Sequence, residues 1–155
     1  MSSKENTPKE KQWKNLSLRS TKVHRAKQLG FDQPHKNQRH QSDLESINVL
    51  FVCSKNQWRS PTGEAIYRQH PLVNARSAGT SSKARHHISH VDIKWADIIF
   101  VMEPKHRQRL LADFPEAMRY RELHVLNIED NYQFMDSELI DEIKSAVDPI
   151  ILSGS

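Results

Sequence analysis

From Ile47 onward, short apolar runs alternate with stretches whose apolar residues recur at helical spacing. The first run, Ile47 to Cys53, is nearly continuous (Ile47, Val49, Leu50, Phe51, Val52), as expected of a strand buried on both faces of a parallel sheet. Similar runs at Val73 to Ala78, Ile98 to Met102 and Leu123 to Ile128 predict three more strands. Between them, Pro61 to His70 predicts a helix carrying Ala65, Ile66 and Tyr67 and closed by Pro71. Ser89 followed by Asp92 has the spacing of a capping box for a short helix through Ala96. Pro104 opens an amphipathic helix to about Phe114, and Asp136 to Val147 places Leu139, Ile140, Ile143 and Val147 on one helical face. Asp148 to Ser155 predict nothing.

Strands alternating with helices predict an α/β fold: a four-stranded parallel sheet with helices on both faces. With right-handed crossovers, the strand order expected is 2-1-3-4. Strand one is then central, and its C-terminal end lies at the topological switch point, where open α/β sheets bind ligands. Gly79, at the end of strand two, is expected to supply the backbone freedom for a tight turn.

Residues 1–45 lack any such pattern. Their apolar residues (Trp13, Leu16, Leu18, Val23, Leu29, Phe31) are too scattered to pack, so a disordered tail is expected ahead of an α/β domain over 46–150. Thr21 to Gly30 has the makings of one short helix, stopped by Gly30. The charge follows the same division. Of the net +4, residues 1–46 carry +5 and the remainder −1, so the basic character belongs to the tail. Such a tail suits a solvated segment or weak binding to nucleic acid or another polyanion. No apolar run approaches the roughly 18 residues that span a membrane, and the first residues lack the apolar core of a signal peptide. A single cysteine excludes an intramolecular disulfide. These features predict a soluble, cytoplasmic protein with a reduced thiol.

That cysteine, Cys53, ends strand one, and Arg59-Ser60-Pro61 follows after five residues, a C-x5-R-S segment. Ser60 and Pro61 read as a helix start, with Ser60 at the N-cap and Pro61 at the first helical position. Ser54, Lys55, Asn56, Gln57 and Trp58 are enough backbone to turn successive N–H groups inward at the positive end of a helix dipole, a nest for a tetrahedral oxyanion. Arg59 adds a bidentate fork, and the same groups favour a thiolate at Cys53. On its own the spacing is weak, because a cysteine at a strand end is ordinarily a small buried hydrophobe. The strand before it and the helix start after it point to an anion-binding loop.

At these residues the chain resembles the low-molecular-weight protein tyrosine phosphatase family. The resemblance covers about residues 47–147. It rests on Cys53, Asn56, Arg59, Ser60 and Pro61 in the loop, on Ser77-Ala78-Gly79-Thr80, on the segment Asp97 to Glu103, and on Asp130 with Tyr132. It implies a phosphatase that acts on phosphotyrosine or aryl phosphate through a phosphocysteine intermediate, with no metal and no cofactor. Cys53 would be the nucleophile, with Ser54 to Ser60 cradling the phosphate and Arg59 clamping it. Asn56 would fix the shape of the loop, and Ser60 would donate a hydrogen bond to the thiolate. Asp130 would be the general acid and base, with Glu129 and Asp136 as competitors. Trp58 and Tyr132 are candidate walls for an aryl group, or ordinary packing aromatics. His86, His87 and His90 lack carboxylates or thiols at ligand spacing and read as a solvated or anion-steering face rather than a metal site.

Three features depart from the family. Lys55 stands where the family usually has Gly, and Trp58 replaces a second loop cysteine, leaving Cys53 without a protective disulfide partner. The segment Ser81 to Ala96 is shorter than usual in a region that supplies much of the family's substrate wall. Two other functions compete. One is a catalytically weak phosphate-binding module guided by its basic tail to a polyanion. The other is arsenate reduction, whose relay among several cysteines this chain cannot run internally with Cys53 alone.

Overall fold

The computed structural model describes residues 46–152, so the expectations for the tail and its short helix lie outside the described residues. In chain order the elements are β1 (Ile47–Cys53), α1 (Arg59–Tyr67), β2 (Val73–Gly79), α2 (His90–Trp95), β3 (Ile98–Val101), α3 (Pro104–Asp113), α4 (Pro115–Met118), β4 (Glu122–Val125) and α5 (Ser137–Ile151). All strand pairs are parallel and the order is β2-β1-β3-β4, as the alternation of elements predicts.

Successive side chains of β1 point to opposite faces, and both faces are apolar. Ile47, Val49, Phe51 and Cys53 join one core with α1 and α5, whereas Leu50 and Val52 join another with α2, α3 and α4. Each large side chain fully buried in this way contributes about 1.5–3 kcal/mol. The Phe51 ring stacks on Phe100 at 5.5 Å and on Tyr67 at 5.7 Å. A Cβ at Gly63 would lie 2.7 Å from that ring, so the glycine lets α1 settle against β1. This close packing presents the first turn of α1 directly to the loop that leaves β1. At the other end of α1, the Tyr67 hydroxyl donates to the Asp148 carboxylate and ties the helix to α5.

Several boundaries differ from those expected. α1 begins at Arg59, with Trp58 at the N-cap, so Ser60 and Pro61 lie inside the first turn. Ser60 makes no cap because its hydroxyl is engaged with Cys53. Strand four was expected to reach Ile128 but ends at Val125; Asn127 takes a left-handed φ of 59°, which breaks the strand. The pairing direction survives the break, since Leu126 N–H and Ile128 N–H still donate to Val101 O and Met102 O at 2.8 Å. α5 runs past Val147 to Ile151 despite Pro149. Burial of Ile151, the next residue on the Leu139, Ile143 and Val147 face, offsets a proline cost of about 3 kcal/mol. The four-residue α4 was not foreseen. Among the described residues, no helix is long and apolar enough to cross a membrane.

Gly79 serves a different purpose from the one its sequence context suggests. No glycine among the described residues has a positive φ, so freedom of rotation is not what this position requires. It requires space: a Cβ there would lie 2.5 Å from Ser54 O, 2.6 Å from Ala84 Cβ and 3.0 Å from Asn56 N. Two of these atoms are backbone of the loop after β1, which cannot withdraw without changing shape. Gly79→Ala is expected to lower stability by about 1–3 kcal/mol, measured by urea unfolding. A variant as stable as the wild type would show that the loop yields freely.

Candidate functional site

The site lies where β1 delivers the chain to α1. The loop's shape is set by Asn56, which is buried and holds a left-handed φ of 56°. Asparagine tolerates that conformation better than most residues. Its amide nitrogen donates to Ser60 Oγ and to Ser77 Oγ, both at 2.9 Å, joining the loop to α1 and β2. Ser77 passes its own hydroxyl hydrogen to Glu64, whose carboxylate also pairs with Arg68 at 2.7 Å. Ser60 Oγ stands 2.9 Å from Cys53 Sγ. With a lone pair of Ser60 accepting from Asn56, its hydrogen has two acceptors in reach, the sulfur at 2.9 Å and Ala78 O at 3.3 Å, of which the sulfur is the nearer.

The loop's carbonyls are taken up from outside. Cys53 O accepts from Thr80 N–H and Ser54 O from Ser81 N–H, both at 2.9 Å. Lys55 O accepts from Arg85 N–H at 3.0 Å, and Asn56 O from Arg85 Nε at 2.9 Å. The short segment after β2 thus wraps the outer side of the loop. Among the described residues, no backbone N–H from Ser54 to Arg59 has a hydrogen-bond acceptor. Consecutive amides left free at a helix N-terminus form an anion receptor.

Arg59 is buried, at 2% exposure, and a buried guanidinium must be paired. Nη1 donates to Ile128 O at 2.8 Å and lies 3.3 Å from Glu103 Oε2, while Nε lies 3.5 Å from Asp130 Oδ1. Burial pushes the Glu103 carboxyl up. The Arg59 charge and then the hydrogen bond and charge of Lys105 outweigh it, leaving Glu103 below the usual carboxylate range. Of the three acids considered for proton transfer, only Asp130 meets the guanidinium. Glu129 accepts from Asn131 Nδ2 at 3.0 Å, and Asp136 caps α5 by accepting from Glu138 N–H at 2.9 Å.

Glu103 lies in a segment that carries the resemblance, yet nothing in the sequence assigns it a role; His106 was missed altogether. His106 is buried, and its Nδ1 accepts from Glu103 N–H at 3.0 Å. Its proton must then sit on Nε2, which lies 2.9 Å from Ser54 Oγ and donates to it. The only signal in the sequence was a histidine three residues into a Pro-initiated helix, where the ring can reach back to the N-cap amide.

The remaining candidates are placed as follows. Lys55 and Gln57 are exposed along the loop, and Trp58 is 39% exposed at its far end. Tyr132 is half-buried against the core of α1 and α5, its hydroxyl donating to Glu142 at 2.9 Å. Met135 N–H donates to Thr62 Oγ1, which donates to Trp58 O, so Thr62 links the backbone at Met135 to that at Trp58; Phe134 and Met135 are exposed. His86, His87 and His90 do not converge. His86 donates to Asp92 and the His90 ring packs edge-on against Phe114 at 4.8 Å.

No protein-family model matches the chain, and no curated protein matches it significantly. Solved structures do resemble it. The YwlE arginine phosphatase from Geobacillus stearothermophilus is 24% identical, the match covering 66% of this chain and 88% of that one with a TM-score of 0.53. The low-molecular-weight protein tyrosine phosphatase from T. tengcongensis is 21% identical over 68% of this chain and 95% of that one, with a TM-score of 0.52. Vibrio vulnificus Wzb, in complex with benzylphosphonate, is 19% identical over 67% and 94%, with a TM-score of 0.52. The sheet order, the position of Cys53 at the end of β1 and these likenesses agree: the chain has the fold of the low-molecular-weight protein tyrosine phosphatases.

Proposed function

We propose that the protein is a phosphatase that hydrolyses phosphate monoesters through a phosphocysteine intermediate. One observation carries this reading. A loop whose backbone amides have no acceptor among the described residues lies between a cysteine and a buried arginine, and that same arginine is in reach of Asp130. Phosphoryl transfer depends mainly on positioning and charge neutralisation, which is what such a loop provides.

In the first step the Cys53 thiolate attacks phosphorus in line, the P–S bond forms and the P–O ester bond breaks. The amides of Ser54 to Arg59 and the Arg59 guanidinium hold the three equatorial oxygens. Asp130 gives its proton to the departing oxygen. In the second step Asp130 takes a proton from water, which attacks phosphorus and breaks the P–S bond, releasing inorganic phosphate and the thiolate. Ser60 stabilises that thiolate by donating to it. No step draws on a metal or cofactor.

His106 prepares Ser54 for this work. Burial, and then the Arg59 charge, push its imidazole down to about 4. The ring therefore stays neutral and donates to Ser54 Oγ throughout the physiological range, directing the Ser54 hydroxyl hydrogen away from α3.

Three outcomes are expected. The wild type hydrolyses an aryl phosphate in the presence of EDTA, and Cys53→Ser loses that turnover entirely. A folded, reduced wild type without turnover would favour the phosphate-binding module instead. Asp130→Ala loses turnover by about 10²–10⁴-fold while inhibition by vanadate keeps its affinity; a parallel loss of both would make Asp130 a binding group. In NMR titration, the His106 ring keeps its neutral Nε2–H signature from pH 8 to pH 5, and a midpoint near 6.5 would break its assigned role.

A further inference from the structure

A groove adjoins the anion-binding loop at Ser54, the residue next to Cys53, and Trp58 is not part of its lining. One wall is the turn after β2, with Thr80 and Ser81, and the other is the face of α3 that carries Lys105, Gln108 and Arg109. Ser82 and Ala112 complete the lining, about half of whose surface is apolar, and it contains no carboxylate and no aromatic ring.

The charges are placed so that an incoming anion meets them. Lys105 Nζ lies 3.3 Å from Glu103 Oε1 and Arg109 Nε 2.8 Å from Asp113 Oδ2, and both cations are more than half exposed. Exposed pairs of this kind are held by only about 0.2–1 kcal/mol, so both cations can accept a further anionic partner. Their present partners, Glu103 and Asp113, are not part of the groove lining. Lys55, Lys83 and Arg85 are close in sequence to lining residues but are not part of the lining, and Arg85 Nε is engaged with Asn56 O at 2.9 Å, so the two cations of the groove are Lys105 and Arg109. The far end of the loop differs in kind: Trp58 offers apolar surface there.

We propose that this groove is a second anion-binding subsite, taking a carboxylate or phosphate group that the substrate carries beside its scissile phosphate. Such a substrate would lay its phosphate in the loop, cross Ser54, and set its second anionic group between Lys105 and Arg109. This assigns the substrate class within the phosphatase reading and rests on it. Affinity is therefore measured without turnover, so that the two can fail separately.

The experiment uses the full chain carrying Cys53→Ser and compares, by calorimetry, phosphotyrosine peptides of one length with acidic or neutral flanking residues. A small aryl bisphosphate against its monophosphate forms the second arm. Charge-assisted contacts of this type predict about tenfold tighter binding of the doubly anionic member, a preference that weakens with added salt. It should fall to near parity in Lys105→Gln/Arg109→Gln. Preference in the peptide arm alone names a flanking carboxylate as the group bound, and preference in the bisphosphate arm alone names a second phosphate. Equal affinities in both arms, or a preference that survives the double substitution, would overturn the proposal. Turnover of a plain aryl phosphate by the wild type, run alongside, tests the phosphatase reading independently.

Discussion

A peptide loop can receive an anion through its amides only if its carbonyl oxygens are satisfied somewhere else. That requirement organises the structure around Cys53. Four consecutive carbonyls, from Cys53 to Asn56, turn outward and are capped by Thr80, Ser81 and Arg85. The cap can approach only because β2 pairs with β1 residue for residue, from Ile47 with Val73 to Cys53 with Gly79, and ends on a glycine. The central position of β1, the close seat of α1 against Phe51 and the left-handed turn at Asn56 all serve the same geometry.

Charge is balanced around one buried group. Arg59 would be costly if unpaired, by about 3–5 kcal/mol for a broken buried pair, and Glu103 together with Ile128 O holds it. His106, next to this pair, stays neutral because burial and the guanidinium both oppose a second positive charge. Among the described residues the loop therefore carries one buried cation of fixed direction, while Asp130, at 57% exposure, stays open to water. In the proposed mechanism, anion binding and proton transfer would fall to different residues.

The sheet was legible because both faces of β1 are buried, which writes the strand as an unbroken apolar run. The strand order 2-1-3-4 was one that right-handed crossovers permit and that puts β1 at the centre. The loop between Cys53 and Arg59 was legible because five residues between a strand and a helix leave few ways to turn, whereas Asn56 was singled out by the family resemblance. What stayed hidden depends on contacts distant in sequence. Glu103 is selected by a guanidinium 44 positions earlier in the chain, and His106 by Ser54, 52 positions away. The Ser60 cap was misread since local helix-start chemistry competes with a tertiary bond to sulfur, and the tertiary bond prevails. α5 outlasts Pro149 for a similar reason: the burial of Ile151 lies outside any local rule.

The dependence of one loop on another bears on how such a site can change over time. A segment from Cys53 to Arg59 copied into a different scaffold would bring its side chains but not the donors that hold its carbonyls, and its backbone would be free to turn the wrong way round. The inheritable unit is therefore two separate stretches, 53–60 and 77–85, joined by a glycine that leaves no room between them. Lengthening or shortening either one alone moves the other, so the two stretches can change length only together.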